Sequence, residues 1–176
     1  GSRFADGAKR NPNGEVFMKN RETNEWLTQN NRSTRNFLRK WGHYCKHDKL
    51  MKPIVPHKYD IQFRIFNANS VILKSLEPWC SNIHVDVSQD VIDNYIKEEQ
   101  PDTDYDLTKR INVDGVDSDI IVRMDATRMT QNSFNFIQQL SEILDFNDFG
   151  IGDYEFDIFN IKVNRVKHYD SDLINL

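Results

Sequence analysis

The chain has 176 residues, 38% of them hydrophobic and 28% charged, with a formal net charge of -4. That length holds one domain with a core of its own, or a domain plus an arm. No stretch of eighteen apolar residues occurs and no charged-then-apolar leader is read at the start, so neither a membrane-spanning helix nor a secretory signal is expected.

The charge is unevenly spread. Gly1 to Lys58 carries 13 Lys+Arg against 5 Asp+Glu, and the remainder carries 10 against 22, a basic arm on an acidic body. Such an arm suits a phosphate or nucleic-acid site; packing onto its own body is the simpler reading. Cys45 and Cys80 are the only cysteines. Two thiols fit a reducing compartment better than a disulfide framework, and the expected location is the cytoplasm. Gly1-Ser2 reads as the remnant of a cleaved tag and no methionine opens the chain, so a piece of a longer protein is expected.

Residues 1–30 are rich in Asn, Gly, Arg and Lys and poor in aliphatics, with a turn signal at Asn11-Pro12-Asn13-Gly14, and read as an irregular arm. Asn31 to Leu50 is predicted as a basic amphipathic helix. Phe37, Leu38, Trp41 and Cys45 recur at three- and four-residue steps, Asn31 or Ser33 caps its start, and Pro53 with Pro56 stops it. Its other faces carry Arg32, Arg35, Arg39, Lys40, Lys46 and Lys49, with His43 and His47 one turn apart. Met51 to His57 is an extended connector stiffened by its prolines. The expected division is therefore 1–57 for arm, helix and connector, and 58–176 for the body.

In the body, Ile61, Phe63 and Ile65 alternate with Gln62, Arg64 and Phe66 as in a strand. Val71 to Trp79 is a short helix stopped near Pro78. Ile83, Val85 and Val87 form a second strand, with His84 and Asp86 on its other face. Ser88 caps a helix carrying Val91, Ile92, Tyr95 and Ile96, which ends before Pro101. A polar loop follows from Gln100 to about Asp117. Ile120 to Met124 is a nearly continuous apolar run, as in a strand buried on both faces. Phe134, Ile137, Leu140, Ile143 and Leu144 define a helix capped by Thr130 or Asn132. Gly150 to Asp153 turns into a last strand whose inward phase slips, from Tyr154, Phe156 and Ile158 to Phe159, Ile161 and Val163, which predicts a bulge near Ile158. The alternation of strand and helix predicts an α/β fold: a small Rossmann-like, mainly parallel sheet of about four strands with flanking helices.

Ligands of such a sheet bind beyond the carboxyl ends of its strands. Asp86 and Asp125 are the strand-end ligand candidates there, although acids in that position often cap the next helix. Asn67-Ala68-Asn69-Ser70 has no glycine, so neither a dinucleotide fingerprint nor a Walker loop follows the first strand. His43, Cys45 and His47 are metal-type residues in the order His-Tyr-Cys-Lys-His, without the glutamate of the zinc-protease motif. A surface histidine pair beside a core cysteine is the simpler reading, and no metal ligand is assigned. Asp-x-Asp pairs at 102/104, 104/106, 117/119 and 170/172 are expected by chance in a chain with 27 acids. No serine elbow or cysteine-nucleophile motif is present. Trp41 and Tyr44 interleave with Arg and Lys in a manner that suits nucleic acid, but Trp41 lies on the apolar stripe and burial explains it more simply.

Asn31 to Gly42, ending Phe37-Leu38-Arg39-Lys40-Trp41-Gly42, resembles the "Asn…Phe-x-x-Lys-Trp-Gly" segment that often closes the catalytic domain of family-2-type glycosyltransferases. Phe4 to Leu27 then resembles the loop leading out of that domain, and Lys58 to Trp79 with the following body resembles the C-terminal part of phage and bacterial glycosyltransferase-like proteins. The family's metal-binding Asp-x-Asp lies upstream of this segment, and its late histidine would fall near Phe4 to Gly7, where the chain reads Phe-Ala-Asp-Gly. The resemblance therefore implies a C-terminal domain, non-catalytic alone, of a protein that transfers a sugar from a nucleotide donor to a glycan or other acceptor. Arg35, Arg39, Lys40 and His43 are its expected phosphate or acceptor contacts, with Arg offering a bidentate fork and Lys a point charge. No cofactor is expected in this segment, Mn or Mg belonging to a complete catalytic domain. The expected partner is that upstream domain or another protein chain, with a nucleotide sugar as possible ligand. The alternative reading is a non-enzymatic assembly or nucleic-acid-associated module, of viral origin, that grips its partner with the basic arm.

Overall fold

A computed structural model describes residues 23–147 and 149–165. The arm predicted for the first 22 residues, and the Asp170/Asp172 pair, lie outside the described residues.

The first helix, α1, spans Asn24–Trp41 rather than 31–50. Its start is set by Thr23, whose hydroxyl accepts from the Trp26 N–H at 3.2 Å. Its end is set by Gly42, which adopts φ +75° while its N–H donates to the Leu38 carbonyl at 2.7 Å. A left-handed glycine of this kind closes a helix without steric cost. Beyond it the chain forms a two-stranded hairpin, β1 (Lys46–His47) with β2 (Pro53–Ile54). Asp48 builds its tip by accepting from the Leu50 and Lys52 N–H groups at 2.8 Å each, and Met51 sits at φ +62°. Cys45 is consequently exposed and off the helix, and both cysteines are free thiols. Packing divides the chain inside α1, between Arg35 and Asn36. Residues 36–57, which the sequence groups with the arm, belong to the unit that holds the main sheet.

That unit is α/β. Its elements are β3 (Ile61–Phe66), α2 (Ser70–Leu76) with a 3-10 turn at Glu77–Trp79, β4 (Asn82–Val85), α3 (Gln89–Glu99), β5 (Ile120–Asp125), α4 (Gln131–Phe146), β6 (Gly152–Phe156) and β7 (Phe159–Val163). Five strands lie in the order β4-β3-β5-β7-β6. β3 runs parallel to β4 and to β5, a Rossmann-like trio, whereas β7 is antiparallel to both β5 and β6. The predicted last strand is thus a hairpin, and the predicted bulge is its two-residue turn. Asp157 takes φ +52° there, and Phe156 pairs with Phe159. The phase slip in the sequence marks a reversal of direction.

One face of the sheet supplies the core. Ile61, Phe63 and Ile65, Ile83 and Val85, Ile120, Val122 and Met124, and Phe159, Ile161 and Val163 form a single cluster with Leu73, Leu76, Ile92, Ile137, Leu140 and Leu144 of the helices. Each such side chain contributes about 1.5–3 kcal/mol when fully buried. α4 begins as the sequence predicts, with Thr130 and Ser133 in a reciprocal capping box.

The opposite face reads differently. Gln62, Arg64, His84, Asp86, Arg123, Asp125, Asn160 and Lys162 line two grooves to which no α-helix among the described residues contributes a side chain. The described helices therefore pack on the apolar side of the sheet, and the alternation in β3 separates that side from a polar one that carries the grooves. In β5 the expected burial on both faces holds over Ile120, Ile121 and Val122, and Arg123 and Asp125 mark where the polar side becomes partly accessible. Between α3 and β5 the chain makes one parallel bridge to β4, Ile83 with Ile111, and then presents Asp114, Gly115 and Val116 to the rim of the polar face. No helix among the described residues is long and apolar enough to cross a membrane.

Candidate functional site

The basic-helix candidates separate into different environments. Arg35 is half-buried and Lys40 exposed, with the Lys40 ammonium 5.2 Å from the Trp41 ring centroid. Arg39 points inward and is 1% exposed. Its Nε and Nη2 donate to Glu77 at 2.9 and 2.6 Å, and Glu99 Oε1 lies 3.0 Å from the same guanidinium. Arg110 reaches Glu77 from another side at 2.6 Å, and the Tyr95 hydroxyl donates to Glu77 at 2.9 Å. Burial opposes the charge of Arg39, but the Glu77 contacts outweigh it and raise its pKa above the ordinary arginine value. Burial likewise pushes the Tyr95 hydroxyl up, as does Glu77. Arg39 is therefore an internal ion-pair member, because its hydrogen bonds and charge are already met inside the fold. His43 is buried too, its Nδ1 donating to the Tyr44 carbonyl at 2.8 Å. Two of the four candidate contacts, Arg39 in the resembling stretch and His43 just after it, thus turn into the protein.

Trp41, expected in the core, is 43% exposed, and Phe37 one turn before it is 38% exposed. Their ring centroids lie 6.5 Å apart, and Tyr44 nearby in sequence stays partly exposed while meeting Trp79 edge-on at 5.1 Å. Leu38 alone of the predicted stripe is fully buried. The helix ends at Gly42, so the stripe never acquires the turn that would have placed Cys45 beneath Trp41.

Asp86 and Asp125 come together at the carboxyl end of the sheet, on either side of β3. Asn67, at φ +53°, joins them: its N–H donates to Asp86 at 2.6 Å, and its side-chain amide hydrogen-bonds Asp125. The Ala68 N–H donates to the other Asp86 oxygen at 2.8 Å. Asp125 also accepts from the Thr127 hydroxyl at 2.7 Å and N–H at 2.9 Å. The Ala68 N–H chiefly, with that of Asn67, holds Asp86 below the usual carboxylate range, and the Thr127 hydroxyl does so for Asp125. These two acids shape the loop at the point where the strand order reverses, where ligands of open α/β sheets bind. Both oxygens of Asp86 and the Oδ1 of Asp125 accept from turn donors.

On the open polar face, strand register sets His84, Arg64, Arg123, Asn160 and Glu155 side by side across five strands. Arg64 donates from Nε to Gln62 Oε1 at 3.0 Å. Neither Arg64 nor Arg123 forms a salt bridge with a carboxylate among the described residues. Phe66, 54% exposed, lines both grooves, which have volumes of about 540 and 560 Å3. Reading the sequence missed this pair. The alternation in β3 signalled Arg64, but Arg123 was hidden in an apolar run, and only register shows that the two are neighbours.

The metal-type residues do not converge: among the described residues no group of three or more His, Cys, Asp or Glu side chains could hold an ion. Of the Asp-x-Asp acids, Asp117 and Asp119 accept from Arg165 at 2.7 and 2.6 Å, and Asp106 caps the turn at Thr108. No protein-family model, curated protein or solved structure matches this chain.

Proposed function

We propose that this chain is the accessory α/β domain of a glycosyltransferase-like protein, that it does not carry out sugar transfer alone, and that it works by docking onto that protein's catalytic domain. The observation behind this reading is the surface of the resembling segment itself. Phe37 and Trp41 lie one turn apart on α1, in contact with each other and more than a third exposed. Paired exposed aromatics are enriched at interface centres and are costly to leave in water. A catalytic domain that precedes the segment in sequence is the occupant within shortest reach. A divalent ion and the nucleotide-sugar donor then belong to that catalytic domain. The nucleic-acid reading has less support, since burial removes Arg39 and His43 from the basic surface and the body is acidic.

The test is association and turnover with purified domains. The chain alone should release no sugar from UDP-, GDP-, CMP- or dTDP-sugars with Mn2+. Added to the separately expressed catalytic domain it should bind, and Phe37→Ala with Trp41→Ala should weaken that binding by about a hundredfold, as two interface anchors would. Donor turnover by this chain alone, or unchanged association of the double variant, would overturn the reading.

A further inference from the structure

We propose that Arg64 and Arg123 form an anion site on the open sheet face that takes the phosphate of a small phosphorylated molecule. The two residues are register neighbours on the parallel strands β3 and β5, which places their backbones about 4.8 Å apart. Their side chains leave the same face, and each lines one of the two grooves that meet at Phe66. Two like charges carried on adjacent strands, neither paired with a carboxylate among the described residues, repel each other. An anion bridging them removes that repulsion and gains charge-assisted hydrogen bonds with the planar fork that phosphate fits.

A second observation concerns Gln62. It is 1% exposed and lines the same groove as Arg64. Its carbonyl oxygen accepts from Arg64 Nε, which fixes the amide orientation, while its Nε2 is buried without a hydrogen-bond partner. Buried amide donors are almost always satisfied, and a phosphate oxygen beside Arg64 is an acceptor of the right kind. Gln62 also engages only the Nε of Arg64, leaving its two terminal nitrogens for a ligand.

The surroundings limit the size of that ligand. Asp86 engages both oxygens with turn N–H donors and Asp125 its Oδ1 with Thr127, and Asp114, Asp153 and Glu155 also line the grooves. With 22 acids against 10 bases from Tyr59 onward, a long polyanion is repelled along most of its length. One or two phosphates placed between the arginines are not, and Phe66 offers a flat apolar surface to the organic part of the molecule.

Isothermal titration of the whole chain at low salt tests this, with inorganic pyrophosphate, UMP and ribose 5-phosphate as probes. Pyrophosphate should bind, Arg64→Gln and Arg123→Gln should each weaken it about tenfold or more, and the double variant should show no binding. Arg64→Lys and Arg123→Lys, which keep the charge without the fork, should fall between, and all variants should keep the circular dichroism spectrum of the parent. A preference for UMP that Phe66→Ala erases identifies the source as a nucleotide, and a preference for ribose 5-phosphate identifies a sugar phosphate; each supports the site. Absence of binding with all three probes, or unchanged affinity in the double glutamine variant, overturns it.

Discussion

Glu77→Gln is the most informative single change in the fold. The Glu77 side chain is wholly buried and faces two arginines. The substitution preserves shape, removes one negative charge and turns an amide N–H2 toward guanidinium donors. Removing one partner of a buried ion pair costs about 3–5 kcal/mol. Two features place the expected loss near the lower figure. Arg39 keeps Glu99 as a partner at 3.0 Å, and Arg110, whose side chain is 11% exposed, keeps its bond to the Cys80 carbonyl at 2.5 Å. A loss of about 3 kcal/mol in a unit of this size lowers the unfolding midpoint by roughly 10 °C. Urea unfolding followed by the fluorescence of buried Trp79, together with scanning calorimetry, measures both quantities. A double-mutant cycle with Arg39→Met should show coupling above about 1.5 kcal/mol. A loss under about 1 kcal/mol for Glu77→Gln would refute the claim that this carboxylate neutralises both arginines.

Three further outcomes are expected. Thr130→Ala removes the hydroxyl that accepts from the Ser133 N–H and should cost about 1 kcal/mol in equilibrium unfolding; no change would mean that the α4 cap is inert. Native protein should react with one equivalent of a thiol reagent, at exposed Cys45, and denatured protein with two, because burial shields Cys80 and raises its pKa; two fast equivalents in the native state would contradict the packing around Trp79. Asp86 has a folded-state pKa below its ordinary value, so the folded chain binds that proton more weakly than the unfolded one. Its stabilisation is present in full above about pH 4 and is lost as pH falls through the folded value. Asp86→Asn should flatten the midpoint-versus-pH curve in that acid range, and parallel curves for parent and variant would count against the turn bonds.

The body of the fold was legible because its signals are local and of one period. The alternation of Ile61, Phe63 and Ile65, the apolar run from Ile120 and the cap at Thr130 each name an element without help from distant residues. The misreadings have equally specific causes. The apolar period through Phe37, Leu38 and Trp41 continues numerically to Cys45, but Gly42 at φ +75° ends the helix first, so the terminator outweighs the period. Asp48 two residues before Leu50 is an Asx-turn signal that accounts for the β1–β2 hairpin. At the other end, the phase slip around Ile158 is compatible with a bulge or with a turn, and Asp157, a residue that tolerates positive φ, tips it to a turn. Arg39 could not be placed from sequence. Its helical position is typical of a surface cation, and the acids that draw it inside, Glu77 and Glu99, stand 38 and 60 residues away. The Arg64–Arg123 juxtaposition is likewise a product of strand order.

The antiparallel hairpin closes the sheet with β6, and among the described residues no strand pairs with its outer side. An unpaired strand is a template on which another chain can add, and a molecule with such a margin can polymerise through it. Here the margin is five residues long and reads Gly-Asp-Tyr-Glu-Phe. A second copy approaching antiparallel about Tyr154 brings Asp153 of each against Glu155 of the other, and the like charges hold the copies apart. The same two carboxylates leave the margin open to a strand bearing lysine or arginine. This margin is thus guarded against its own kind more than against strangers, by two side chains that contribute nothing to the core.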